Sequence, residues 1–198
     1  MRIIAGSAKG MKLKSIPGRA VRPTGERVRE ALFSILGSRV IAAVVLDLFA
    51  GSGAVGIEAL SRGAVSCIFV EQERRHLAVI KENLVRARLL EQARLLAGNV
   101  CTALGRLARE GVRADLIFLD PPYSTTLIPA LLRQIYRASL LREGGLVIVE
   151  HAAANRAWSE RYPQKRQKQY GGTCLTFITP EGLAAAEEES GLKGPEEG

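Results

Sequence analysis

At 198 residues, 47% of them hydrophobic and 24% charged, the chain has the size and balance of one globular domain, able to bury roughly 70% of its unfolded surface. No apolar run approaches the ~20 residues of a membrane span. Met1-Arg2-Ile3-Ile4-Ala5-Gly6 lacks the apolar core of a signal peptide, and Cys67, Cys101 and Cys174 have neither metal-ligand nor paired spacing, so a monomeric cytoplasmic protein with reduced thiols is expected. The net charge of +8 is unevenly spread. Residues 1–40 hold nine basic side chains against Glu26 and Glu30, a net +7, whereas residues 181–198 carry −5. A second basic cluster, Arg156, Arg161, Lys165, Arg166 and Lys168, is opposed only by Glu160. Two such concentrations point to a phosphate-rich partner, because each neutralised phosphate releases counterions.

In chain order, residues 1–20 suggest a small hairpin or extended arm. Arg22-Pro23-Thr24 then opens a helix capped by Thr24, with Val28, Leu32 and Ile35 inward and Arg27 and Arg29 pointing elsewhere. From 44 to 120, apolar strand-like runs alternate with amphipathic helical ones, the pattern of βαβ units and a parallel sheet. Strands are predicted at 44–49, 67–70, 94–97, 116–119 and 146–149, with helices at 55–62, 75–90, 102–110 and 128–140. After the turn at Gly171-Gly172, residues 174–178 suit an edge or antiparallel strand. One domain over 1–180 follows, and the acidic remainder, 181–198, is expected to be disordered or a frayed helix.

The first predicted strand runs into Ala50-Gly51-Ser52-Gly53-Ala54-Val55-Gly56, a GxGxxG spacing that brings backbone close to a ligand at a helix N-terminus. That loop serves dinucleotides as well as S-adenosylmethionine. Asp47, inside the strand, favours the second, since a carboxylate there repels a pyrophosphate and attracts an ammonium. Glu71 ends the next strand, where it can accept both ribose hydroxyls, and Asn99 can read an adenine edge or simply make a turn. Asp120-Pro121-Pro122-Tyr123 leaves the apolar run 116–119. The prolines fix φ and remove NH donors. The Asp120 carboxylate and the Pro121 carbonyl can then accept two hydrogens of an exocyclic amine, with Tyr123 packed on its ring. Neither His76 nor His151 is needed as a base. Trp158 and Tyr162, four apart, read as packing rather than as a stacking platform.

Arg22-Pro23-Thr24, Arg27-Val28-Arg29-Glu30, Asp47-Leu48-Phe49-Ala50-Gly51-Ser52-Gly53, Gly56-Ile57-Glu58-Ala59-Leu60-Ser61-Arg62-Gly63 and Phe118-Leu119-Asp120-Pro121-Pro122-Tyr123 together resemble the RsmD family, bacterial 16S rRNA guanine-N2 methyltransferases of class I. The likeness spans about residues 1–180. It implies an α/β Rossmann-like fold, with a mostly parallel seven-stranded sheet between helices. It implies S-adenosylmethionine bound by Asp47, Phe49, Gly51, Gly53, Glu71, Asn99 and Asp120, and catalysis at Asp120, Pro121, Pro122 and Tyr123 without a metal. The substrate implied is 16S rRNA, within the 30S subunit or a late assembly intermediate, met by Lys9, Lys12, Lys14, Arg22, Arg27 and Arg29. Gly25-Glu26 departs from the Thr-Asp or Thr-Asn usual after Arg-Pro-Thr in the family. Three alternatives stand beside this reading: an NAD-dependent oxidoreductase, an adenine-N6 methyltransferase, and a noncatalytic RNA-binding assembly factor.

Overall fold

Strand and helix alternate along most of the chain: α1 (Thr24–Leu36), β1 (Val44–Leu48), α2 (Ala54–Ser61), β2 (Ser66–Glu71), α3 (Arg74–Ala87), β3 (Ala93–Ala97), α4 (Val100–Arg109), β4 (Ala114–Leu119), α5 (Leu127–Arg137), β5 (Leu141–Ala152), β6 (Arg166–Tyr170), β7 (Thr173–Ile178) and α6 (Pro180–Gly191). The computed structural model describes residues 1–16, 24–121, 127–163 and 165–191. The strands form one seven-stranded sheet in the order β3-β2-β1-β4-β5-β7-β6. The first five are parallel and β7 runs antiparallel between β5 and β6. This is the α/β sheet that the alternating pattern predicts.

Near-continuous apolar strands such as Leu116-Ile117-Phe118-Leu119 require cover on both faces, and the core accordingly splits into two layers. On one face Val28, Leu32 and Phe33 of α1, Ile57 and Leu60 of α2, and Ile80 and Leu84 of α3 pack on Val45, Phe69, Phe118, Ile148 and Leu175. Ile3 and Leu13 join that layer from the N-terminal arm, a hairpin closed by Ile3 N–H to Met11 carbonyl and Leu13 N–H to Met1 carbonyl, each 3.0 Å. We call this the arm face. On the opposite face Leu104 and Leu107 of α4, Leu131 and Ile135 of α5 and Leu183 of α6 cover Leu46, Val70, Ile117, Val149 and Ile178. Among the described residues no helix is long and apolar enough to cross a membrane.

Three elements differ from expectation. β5 starts at Leu141 rather than near 146, because its first residues pair with β4 across a register shift between Ala114 and Leu116 that a Gly144-Gly145 turn signal conceals. β6 has no strand signal in the sequence: Arg166-Gln167-Lys168-Gln169-Tyr170 has no apolar alternation, and its charges are those of an edge strand that resists further pairing. The acidic tail, expected to be disordered or a frayed helix, takes the helical form over Pro180–Gly191 and is packed rather than frayed. Leu183 is buried, and Glu187 reaches Arg133 at 2.8 Å and Arg137 at 3.2 Å, so α5 neutralises part of the acidity that argued for disorder. Helix α1 does begin at Thr24, but the capping role expected of its side chain lies outside what is described, as do residues 192–198.

Candidate active site

The strand order reverses between β1 and β4. From β1 the chain adds β2 and then β3 on one side, and β4 and β5 on the other. In open α/β sheets ligands bind in the crevice beyond the strand ends at such a point. Here the residues leaving β1 are Phe49 to Gly53 and those leaving β4 are Asp120 and Pro121. The register pairs Leu48 with both Val70 of β2 and Leu119 of β4, which brings Phe49, Glu71 and Asp120 to one level.

Local chemistry shapes the glycine loop. Phe49 turns out of β1 with φ 68°, a left-handed conformation that costs a non-glycine residue on the order of 1–3 kcal/mol and is found mainly where function holds it. Gly53 begins the turn into α2 with φ 77°. At Gly56 the need is close approach, since a Cβ there would lie 2.3 Å from the Phe69 ring. The loop is then tied by buried carboxylates. Gly51 N–H donates to Glu71 Oε2 at 2.8 Å, and Glu73 N–H to Glu71 Oε1 at 2.9 Å. Gly56 N–H donates to Asp47 Oδ2 at 2.9 Å. Asp47 and Glu71 are thus fixed by backbone donors before any ligand arrives, and each carboxylate retains lone pairs for one.

Electrostatics favour a cation. Burial raises the Asp47 carboxyl to about 7, with the charges of Asp120 and Glu71 adding to the rise against the opposing Gly56 hydrogen bond. Three acids facing one crevice suit a ligand with positive charge and hydroxyl donors. S-adenosylmethionine, with an ammonium, a sulfonium and a ribose diol, has those features, whereas a pyrophosphate would add repulsion. Asn99 is the N-cap of α4, its Oδ1 accepting from Cys101 N–H at 2.8 Å. The turn reason for this residue is therefore real, and its amide group stands exposed at the end of β3, beside the strand that carries Glu71. Asp120 is exposed at the mouth and Pro121 half-buried behind it. Pro122 and Tyr123 lie outside the described residues, as does Arg22.

Of the cations expected to meet RNA, Lys9, Lys12 and Arg27 are exposed. Lys14 is exposed but paired with Glu82 at 2.5 Å. Arg29 is a correction. It is 4% exposed and turned inward, donating to the Arg2 carbonyl and lying 3.5 Å from Glu58, which is itself fully buried. Burial pulls its guanidinium below the usual range while Glu58 opposes the fall. Arg29 holds the arm and is turned away from the exposed surface.

The residues that sequence reasoning missed are those that fix the arm to this site. Glu58 on α2 accepts Ile4 N–H at 2.8 Å, Ala5 N–H at 3.0 Å and Arg62 Nε–H at 2.7 Å. Asn83 on α3, also fully buried, accepts Lys14 N–H at 2.8 Å and donates to the Lys14 carbonyl at 3.1 Å and the Ser52 carbonyl at 3.2 Å. One amide therefore joins the arm to the glycine loop. The available signal was a polar residue next to Leu84 on the apolar stripe of its helix. Glu26, the departure after Arg-Pro-Thr, accepts Arg2 N–H at 2.6 Å and so also holds the arm. The two histidines differ in their surroundings. His151 is buried between the Ala152 carbonyl and Thr176 Oγ1, with Trp158 packed edge-on at 5.1 Å. His76 is half-buried with Nδ1 3.4 Å from Glu71. Trp158 and Tyr162 are buried, as packing requires.

Comparison with known proteins places the chain in a family. Residues 1–179 match the family described as conserved hypothetical protein 95. The putative rRNA methyltransferase YlbH of Bacillus subtilis is 40% identical over 151 residues, 76% of this chain and 82% of that protein. The ribosomal RNA small subunit methyltransferase D of Escherichia coli K12 is 35% identical over 159 residues, 78% of this chain and 76% of that one. Among solved structures, the hypothetical protein TTHA0928 of Thermus thermophilus is 34% identical and superposes with a TM-score of 0.76 over 90% of this chain and 99% of its own. These matches span most of the chain, and the chain belongs to the RsmD family of methyltransferases.

Proposed function

We propose that this methyltransferase modifies the exocyclic N2 amine of one guanine in 16S rRNA, position 966 in the family's usual site, during maturation of the small subunit. The observation that carries the reading is Asp120 at the end of β4, level with Phe49 and Glu71 across the switch point. A carboxylate followed by a proline carbonyl presents two acceptors at the mouth of a crevice suited to a cationic cofactor.

S-adenosylmethionine supplies a methyl group made electrophilic by its sulfonium. Asp47, Glu71, the glycine loop with Phe49, and Asn99 are the groups that hold it. The guanine amine is a weak nucleophile because its lone pair is delocalised into the ring. Asp120 and the Pro121 carbonyl accept its two hydrogens and draw the lone pair out of conjugation. Once the amine is positioned, proximity provides much of the acceleration. The proton displaced from the amine passes to Asp120 or to solvent. Tyr123 flanks a base turned out of its helix or loop. The name of the Escherichia coli relative, a small-subunit rRNA methyltransferase, supports the RNA target.

The test is transfer of labelled methyl to undermethylated 30S subunits, with the product nucleoside identified by mass spectrometry. N2-methylguanosine is expected. N6-methyladenosine, or label only on DNA, would overturn the assignment of the base.

A further inference from the structure

Two cations of the second basic cluster, Arg166 and Lys168, lie far from the arm in sequence, and the sheet brings them to the arm face, whereas Arg161 of the same cluster lies among residues of α5 and α6. Arg166 pairs with Phe177 and Lys168 with Leu175, and both apolar partners belong to the core layer under α1 and the arm. Directly opposed residues share a face, so Arg166 and Lys168 project on the arm face. Both are exposed, and neither is ion-paired among the described residues. Helix α1 packs against β7, the neighbouring strand, and carries exposed Arg27 on its outer side.

The row through Lys168 also runs to the reaction centre. Lys168 opposes Leu175, Leu175 opposes Glu150, and Glu150 follows Val149 as Asp120 follows its partner Leu119. Three strand spacings separate β4 from β6, about 14 Å. A nucleotide flipped toward Asp120 thus leaves its flanking backbone within reach of β6. The opposite face is different, for four of its arginines are ion-paired, two to each of two glutamates. Arg94 and Arg106 share Glu110, and Arg133 and Arg137 share Glu187.

From this placement we propose that the outer edge strand β6, through Arg166 and Lys168, is a phosphate-docking rail. It continues the basic surface of Arg27 and the arm and receives the backbone of folded RNA beside the target nucleotide. The inference rests on the RNA reading above and assigns the side from which that RNA approaches. It gives the edge strand a role that charge alone, as a guard against aggregation, does not require.

The experiment compares Arg166→Ala/Lys168→Ala with Arg109→Ala/Arg113→Ala, an equal charge change at exposed positions of α4 and the loop after it. Binding to undermethylated 30S subunits is measured across salt concentrations, together with steady-state methyl transfer and S-adenosylmethionine affinity. The β6 variant is expected to bind at least about tenfold more weakly, with the slope of log affinity against log salt shallower by about two. Its KM for 30S should rise while kcat and cofactor affinity hold, and the control pair should match the parent. Equal slopes and affinities for both variants would overturn the docking rail and leave the enzyme reading intact. A parent protein that binds no 30S subunit would overturn both.

Discussion

The two faces of the sheet use charge in opposite ways. On the face of α4, α5 and α6, ion pairs lie at the surface, and Arg94 and Arg106 hold the Glu110 carboxyl down at about 2. Exposed pairs of this kind contribute little to stability because water and salt already screen them. On the arm face the central acid, Glu58, is inside. Glu58 and Asn83 are fully buried and spend their hydrogen-bonding capacity on the backbone of residues 4, 5 and 14, while Lys9, Lys12 and Arg27 stay exposed. The difference teaches how one sheet separates tasks. One face closes the fold, and the other is organised around an appended arm that meets the glycine loop through a single buried amide.

Breaking the arm face at its centre should have the largest effect. Glu58→Ala leaves Arg29 buried without its counter-charge and removes the acceptor for two arm N–H groups. A loss of about 3–5 kcal/mol is expected in urea unfolding, together with proteolytic release of the arm. A loss below about 1 kcal/mol would show that the arm is not fixed by this carboxylate.

Asp47 sharpens the comparison at the site itself. Its folded-state carboxyl, raised to about 7, keeps a proton that the unfolded chain gives up near pH 4. Folding stability from this group is therefore undiminished below the unfolded value and declines as pH rises toward 7, by at most about 4 kcal/mol. Asp47→Asn should remove that decline and stabilise the ligand-free protein at pH 8, read by thermal unfolding across pH. It should also weaken S-adenosylmethionine binding, and in the parent that affinity should strengthen as pH rises through 7. A pH-independent affinity in the parent would contradict the charge assigned to this residue.

Asn83→Ala should cost about 1–3 kcal/mol by leaving buried groups of Lys14 and Ser52 unpaired. The informative reading is that cofactor and RNA affinities fall together, since one amide touches both segments. Smallest is Glu187→Gln on the other face, expected within about 1 kcal/mol by urea unfolding because its arginine partners are exposed. A larger loss would make the α5–α6 pairing a true support of the fold.

What could be read in advance follows the same physical division. The glycine loop, Asp47 and Glu71 were legible because close backbone approach admits few residue types and the strand-to-helix change has its own period. Arg29 was not, because a charged residue reads as exposed until its buried partner is known, and Glu58 lies 29 positions away. Asn83 was hidden for the same reason, its partners being backbone atoms of distant segments. Strand β6 lacks an apolar face of its own and exists by pairing with β7. Helix α6 is held by Leu183 and by arginines of α5, contacts that its acidic composition does not announce.

The measurement that bears most directly on the account is methyl transfer by Asp120→Ala under single-turnover conditions, with S-adenosylmethionine affinity determined on the same preparation. The account predicts a fall in transfer on the order of 10³-fold, with cofactor affinity within about tenfold of the parent. Transfer that survives the substitution, or cofactor binding that collapses in parallel with it, would contradict the role assigned to Asp120 at the end of β4.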